Sequence, residues 1–536
     1  MPTLEWIGKE KVINHHQEVP FRILDKKYTY NAEDSENMII HGDNLLALKS
    51  LLPKYEGMID CIYIDPPYNT GTPEGRWVYS DNVNDPRIKK WLGEVVGAEG
   101  EDLSRHDKWL CMMYPRLKLL HKLLSNNGRI FISIDENELY NLKKICDEIF
   151  GSTCFVGQYM WYKSATPPNL SYKIKRNLEY VLCYEKEKNN IKYSGIKKSS
   201  PSDDPLTKPQ NSYKILSFPP YSIHFKGKDG IINAGMYGTL KFPNKLLDDL
   251  IIKDGVNQNT VRFENRFIWI QETLEKNIQN KTRINLSKQL VLSYKREEYS
   301  AEVPPNLIDD SVGVSTTEEA GKEQINIFGE KVFEYPKDTS LIEYLLRFVD
   351  KKDALVLDSF AGSGTTAHAV LNLNKKDNGN RKFILVEMMD YAETITAERV
   401  KRVIRGYGQG NKVVEGISSN FSFYELGQPL FKEDNNLNEE VSEDEIRKYI
   451  YYMETKRSLD VKTTDDLYFL GKNNDIAYYF YYKKNEITTL NNEYLSTINI
   501  SALGYIIYAD KCVLSKEIMD KFNIIFKKIP RDITKL

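Results

Sequence analysis

Asp65, Pro66, Pro67 and Tyr68 stand together at the end of an apolar run, Ile59-Asp60-Cys61-Ile62-Tyr63-Ile64. The run has the length and β-branched content of a buried strand. Neither proline carries a backbone N–H, so strand pairing stops there. Proline also holds the residue before it extended. Asp65 and the Pro66 carbonyl are therefore expected at the carboxyl end of a strand, where open α/β sheets bind ligands. Tyr68 adds a flat face beside them. This trio suits the exocyclic amine of a nucleobase, a poor nucleophile because its lone pair is conjugated into the ring. Asp65 and the Pro66 carbonyl can accept its two hydrogens and turn the lone pair towards an electrophile, while Tyr68 stacks on the ring. The plain alternative is a strand closed by a Pro-Pro turn with a surface tyrosine.

A second group of residues has binding chemistry. The run Ala354 to Asp358 leads into Ser359-Phe360-Ala361-Gly362-Ser363-Gly364-Thr365. This reads as a strand, a small-residue turn and a helix start. Gly362 and Gly364 let backbone approach a ligand closely, as in dinucleotide loops, although the full G-x-G-x-x-G is absent because position 367 is Ala. Glu387 ends the next apolar strand, 23 residues after Gly364. That spacing suits an acid that binds ribose hydroxyls. His368 falls on the first helical turn and reads as structural. Lys337 can meet an anionic ligand group and Ser340 can donate to one; equally, Tyr335-Pro336-Lys337-Asp338-Thr339 is a proline turn with a helix cap. Asp43 follows the strand-like Met38 to His41. It can bond a ligand amine or cap the helix from Leu45 to Leu52.

The elements that position these groups follow from periodicity. Leu103 to Leu124 is an amphipathic helix whose Trp109, Met112, Met113, Leu117, Leu120 and Leu124 face a core. Gly128 to Asp135 is a further buried strand. Asp135 and Glu138 read as a capping box for the helix that ends at Gly151. Asn69 to Asn84, with Trp77 and Tyr79, reads as a long loop at the top of the sheet. Residues 161–300 carry 24 Lys+Arg against 14 Asp+Glu, interleaved with aromatics such as Trp161, Tyr172, Tyr213 and Trp269. That mixture suits phosphate and base contacts, or a solvated insert. An acidic linker is expected near Glu302 to Glu323.

The whole chain of 536 residues has net charge −2 and 28% charged residues, so net charge points to no nucleic-acid partner. No apolar run approaches the roughly 20 residues of a membrane span. Six scattered cysteines form no C-x-x-C, which indicates neither a metal site nor a disulfide framework and fits a reducing cytoplasm.

Ile40-His41-Gly42-Asp43, Asp65-Pro66-Pro67-Tyr68-Asn69-Thr70-Gly71, Lys108 to Leu117, Gly128 to Glu138, Tyr335-Pro336-Lys337 and Phe360 to Thr366 together resemble DNA adenine-N6 methyltransferases of the group that places the catalytic motif before the cofactor loop. The C-terminal Phe526-Lys527-Lys528-Ile529-Pro530-Arg531-Asp532-Ile533 looks like the Mod subunits of type III restriction–modification systems. The resemblance covers roughly residues 40–155 and 330–425, extends into the C-terminal part, and barely touches the centre. It implies a Rossmann-like α/β core with a mostly parallel, seven-stranded sheet. The expected boundaries are a polar arm with weak structure (1–37), a catalytic half (38–155), an insert set off by its composition that the resemblance makes the target-recognition region (156–330), a cofactor half (331–425) and a small α+β domain (426–536).

The resemblance further implies S-adenosylmethionine (AdoMet) as methyl donor, with no metal. It places Asp65, Pro66, Pro67 and Tyr68 in the catalytic motif. Asp358, Phe360, Gly362, Gly364 and Thr365 fall in the AdoMet loop, Glu387 on the ribose, Asp43 on the adenosine, and Lys337 and Ser340 at the methionine end. Asp338 departs from the family, where proline often follows the lysine. Implied partners are double-stranded DNA with a specific site, a second copy in a homodimer, and a Res helicase–nuclease subunit. Alternatives are a solitary methyltransferase, a cytosine-N4 enzyme, a dinucleotide-binding oxidoreductase and a non-catalytic DNA-binding subunit. No cysteine follows a proline, so the Pro-Cys nucleophile of cytosine-C5 enzymes is missing.

Overall fold

The computed structural model describes residues 3–70, 105–166, 173–195, 203–239, 243–296, 302–432, 434–459 and 466–533. The loop expected over Asn69–Asn84 lies, beyond Thr70, outside the described residues, as does Tyr172. The chain forms two compact units, Gly195–Val303 and the remainder.

The larger unit is built on one sheet. Its strands are β1 (Arg22–Tyr30), β2 (Met38–His41), β3 (Ile59–Ile64), β4 (Leu124–Ile134), β5 (Phe155–Tyr162), β6 (Leu178–Glu185), β7 (Leu307–Ile308), β8 (Leu355–Asp358), β9 (Lys382–Glu387) and β10 (Phe421–Pro429). The spatial order is β1-β10-β2-β9-β8-β3-β4-β6-β5-β7. The six strands from β10 to β4 run parallel to their neighbours. The sheet thus has ten strands rather than the seven expected. One edge gains β1, antiparallel to β10, from a stretch whose polar residues read as a loose arm. At the other edge β5, β6 and β7 come from stretches read as insert and linker.

The helices that matter to the site are α1 (Asn44–Tyr55), α2 (Arg105–Leu123), α3 (Leu139–Phe150), α4 (Thr317–Phe328), α5 (Thr339–Arg347), α6 (Thr365–Asp377) and α7 (Glu398–Arg405). The apolar stripe of α2 is buried as its spacing predicts, joining residues of α1, α3, β3 and β4 in the main core. In the C-terminal part a four-stranded sheet over Phe469–Lys528 shares a core with the helix Glu443–Thr455. No helix among the described residues is long and apolar enough to cross a membrane.

The smaller unit has its own apolar core, including Leu216, Phe218, Phe263, Trp269 and Ile284. Two sheets, of seven and four strands, enclose it with the helix Gln271–Gln279. Its two ends are neighbours: the Gly195 amide donates to the carbonyl of Glu302 at 2.8 Å. This compact unit is narrower than the insert of 156–330 expected from composition.

Candidate active site

Parallel strands bring their carboxyl ends to one edge of a sheet. His41 pairs with Glu387, Asp358 with Leu385, and Leu357 with Ile62. Neighbouring strands lie about 4.8 Å apart, so the turns after β2, β9, β8 and β3 stand in a row. From β8 the chain continues through α6 to β9 on one side; from β3 it continues through α2 to β4 on the other. The order therefore reverses between β8 and β3, and such switch points form the ligand crevice of open α/β sheets. The glycine loop and Asp65-Pro66-Pro67-Tyr68 flank it.

Asp65 meets two partners. Tyr68 donates its hydroxyl to Oδ1 at 2.9 Å, and Lys337 Nζ lies 3.0 Å from Oδ2. Glu179, on β6, completes the cluster. Its Oε2 is 3.2 Å from both the Tyr68 hydroxyl and Lys337 Nζ, and its Oε1 accepts from Lys163 at 2.8 Å. Lys337 also lies 4.8 Å from the centre of the Tyr68 ring. The Asp65 side chain keeps 24% exposure, against 9% for Lys337 and 8% for Glu179, so the cluster opens to solvent at Asp65. Burial raises the Asp65 pKa, Lys337 opposes the rise and Glu179 adds to it. Burial acts upward on Glu179 too, yet Lys337 and Lys163 hold it below the usual carboxylate range. Burial alone would lower Lys337, but the two carboxylates push it above an ordinary lysine. The ammonium is thus firmly charged.

The turn itself is fixed from behind. Pro66 and Pro67 are buried, and Trp109 donates Nε1–H to the Pro67 carbonyl at 2.6 Å. Asn69 adopts a left-handed backbone (φ 57°) and donates Nδ2 to Glu138 at 2.5 Å. Glu138 also lies 2.7 Å from His106 Nδ1 and accepts from Asn141 at 2.8 Å. The capping box expected of Asp135 and Glu138 does not form: Glu138 takes the position before α3 with no side-chain cap and turns inward instead. Asp135 accepts from the Asn137 amide.

The glycine loop is held by its acids. Gly362 and Gly364 have φ of 51° and 81°, a region favoured by glycine. A Cβ on Gly364 would stand 3.0 Å from the Thr396 carbonyl. Glu387 accepts from the Gly362 amide at 2.7 Å and the Met389 amide at 3.0 Å. Asp358 accepts from the Phe360 amide at 3.0 Å and from Thr366 Oγ1 at 2.5 Å. Burial, with Asp65 and Glu387 adding to it against those hydrogen bonds, pushes its pKa up to about 7. A carboxyl raised this way stabilises the fold below its unfolded value of 3.8, and that contribution is lost as pH rises to about 7. Asn at 358 can serve both partners without charge. Asp358→Asn is therefore expected to raise the melting temperature of the ligand-free protein at pH 8. The gain should correspond to on the order of 2–4 kcal/mol and shrink towards pH 5, read by calorimetry at the two pH values.

Asp43 caps α1, accepting from the amides of Leu45 and Leu46 at 2.9 and 3.1 Å, with Arg116 3.3 Å from its other oxygen. Its neighbour Asn44 donates to the Ser359 carbonyl at 2.9 Å, tying this turn to the glycine loop. Ser340 accepts from the Ser315 amide at 2.9 Å and donates to Asp338, which caps α5. The departure at Asp338 thus has a local role. Thr365 accepts from Arg399 Nη1 at 2.8 Å. Lys337, expected with Ser340 at the methionine end, meets Asp65 and Glu179.

Three residues of this site were not read from the sequence as part of it. Glu179 lies in the stretch read as insert. Glu138 was read as a cap. Arg399, 1% exposed, donates to Ser363 at 2.9 Å, Glu323 at 2.9 Å and Thr339 at 3.1 Å, besides Thr365. His368 Nδ1 accepts from it at 3.2 Å, and burial pushes the imidazole pKa down to about 4. That histidine is structural, as its position on α6 implied.

Known proteins are similar to this chain in sequence. The Mod subunit of the type III restriction–modification enzyme StyLTI from Salmonella typhimurium is 32% identical over 409 residues, which span 71% of this chain and 57% of that subunit. The EcoPI Mod subunit of Escherichia phage P1 is 31% identical over 72% of this chain and 63% of its own length. The chain therefore spans less than two thirds of these two relatives. The type II methyltransferase M.KpnI of Klebsiella pneumoniae is 32% identical over 68% of this chain and 85% of its own. The family profile described as DNA methylase matches residues 59–398, a range that starts at β3 and includes the glycine loop, Glu387 and the first residue of α7. With both landmarks of the crevice inside that match, the chain belongs to the DNA methylase family.

Proposed function

We propose that the protein transfers a methyl group from AdoMet to the N6 amino group of adenine in double-stranded DNA, as the modification subunit of a type III restriction–modification system. The observation that carries this reading is the placement of Asp65-Pro66-Pro67-Tyr68 and the glycine loop on opposite sides of one crevice.

The residues present fit AdoMet. A Cβ on Gly364 would meet the Thr396 carbonyl, so this turn stays bare backbone. Glu387, although bonded to two amides, has further lone pairs for ribose hydroxyls. Asp43 and Phe360 flank the same crevice. When bound, AdoMet supplies an electrophilic sulfonium methyl. The chain's own residues orient the acceptor. The target adenine leaves the duplex stack to reach the crevice. Asp65, as carboxylate, accepts a hydrogen bond from the amine and stabilises the positive charge that grows on nitrogen. The Pro66 carbonyl takes the second hydrogen and Tyr68 supports the ring. Much of the rate comes from alignment. The proton released from nitrogen leaves through Asp65, which is more exposed than Lys337 and Glu179.

The two Mod relatives support the type III assignment; a homodimer and a Res helicase–nuclease are the partners proposed with it. The test is transfer of labelled methyl from AdoMet to unmethylated DNA, with the product base identified by mass. N6-methyladenine is the expected product. N4-methylcytosine overturns the choice of base, and AdoMet binding without transfer to any DNA overturns the substrate.

A further inference from the structure

Lys337 occupies what the target amine needs. Its ammonium is 3.0 Å from Asp65 Oδ2 and 4.8 Å from the centre of the Tyr68 ring, the carboxylate and the aromatic face assigned to the base. It also has a second seat, Glu179 Oε2 at 3.2 Å. That seat is deeper, since Glu179 is 8% exposed and Asp65 24%. Building on the DNA-methylation reading, we propose that Lys337 is a displaceable place-holder for the target amine: it caps Asp65 while no base is present and withdraws onto Glu179 when one arrives.

The exchange follows from the chemistry of the donors. An ammonium and an exocyclic amine both donate N–H groups, and both favour a π face or its edge. An ionised Asp65 left bare in a half-buried crevice would take up a proton; the ammonium keeps it ionised and ready. On withdrawal, Lys337 keeps one carboxylate, so no buried charge is abandoned. Around Asp65 stand Lys337, Glu179 with Lys163 behind it, Tyr68, Tyr63 and, on β8, Asp358. Of these only Lys337 is a cation in contact with Asp65. A site that must evict its own occupant binds the base more weakly than a vacant one. The benefit is that Asp65 accepts only a donor able to compete with an ammonium.

Two substitutions should act in opposite directions. Lys337→Met removes the occupant, and Glu179→Gln removes the charge that draws the occupant away. The probe is a duplex whose target position, mapped by sequencing, is left unpaired or replaced by 2-aminopurine. At pH above 8 the Lys337→Met protein is expected to show a KM for DNA about tenfold lower and brighter 2-aminopurine fluorescence. Its acid limb of kcat/KM moves to higher pH, because Asp65 has lost its cation. Glu179→Gln is expected to raise KM about tenfold, with the acid limb moved down. It is isosteric, so it stands as a test even if Lys337→Met does not fold. AdoMet affinity, measured by calorimetry, should stay within about threefold of wild type in both. KM moving the same way in both variants overturns the place-holder, as does a large loss of AdoMet affinity in Lys337→Met, which would put the lysine at the methionine end. A wild-type protein that methylates no DNA overturns the proposed function itself, which separates the two failures.

Discussion

Asp65→Ala is expected to lower methyl transfer at least about 10³-fold, combining lost alignment with lost stabilisation of the growing positive charge. AdoMet affinity should change less than about threefold, because the glycine loop is held by Asp358 and Glu387 rather than by Asp65. Folding should change little. Asp65 is raised by burial and sits near a second carboxylate, so its removal relieves as well as costs. Lys337 keeps Glu179 at 3.2 Å. Asp65→Asn separates the two effects, since its amide oxygen still accepts a hydrogen bond while the charge is gone; an intermediate loss of about 10²-fold is expected. Single-turnover transfer with enzyme in excess gives the rates, and calorimetry gives the AdoMet affinity. Wild-type rates from Asp65→Ala would remove this residue from the chemistry.

Arg399→Met is expected to cost about 3–5 kcal/mol of stability, the range for breaking a buried charge pair. Arg399 ties Ser363 and Thr365 of the glycine loop to Glu323 on α4 and Thr339 on α5. Its loss leaves Glu323 beside neutral His368 without its guanidinium. The Glu323 pKa then rises above its unfolded value, so the variant loses stability as pH rises through that new value. The deficit should be larger at pH 8 than at pH 5, as read by urea unfolding at the two pH values. Arg399→Lys keeps the charge but cannot span five acceptors without the guanidinium fork, and should fall between. AdoMet should protect both variants less than wild type, since the loop is no longer tied down.

The strand ends were legible because their signals are local. Six residues, five of them apolar, followed by Asp-Pro-Pro-Tyr define β3 and its stop within ten positions, and Asp358 to Gly364 does the same for β8. The apolar stripe of α2 gave its buried face directly. The pairs that make the site are not local. Glu179 meets Tyr68 across 111 positions, and a glutamate in a basic, aromatic stretch carries no mark of that partner. Arg399 reads as one more cation on a helix with Lys401 and Arg402 beside it. Glu138, three residues after Asp135, satisfies the pattern of a cap, and only the approach of Asn69 and His106 gives it another use. β1 has Asp25, Lys26 and Lys27 in its middle, polar enough to hide an edge strand whose partner lies some 400 residues away.

The hydrogen bond between Gly195 and Glu302 bears on how such a chain can change over time. An excursion that leaves and rejoins at adjacent backbone groups places one geometric demand on its host, a pair of ends a single bond apart. Its apolar core is its own, so substitutions there need no answering change around Asp65 or Gly362. A segment of another length or sequence faces the same single demand at this joint.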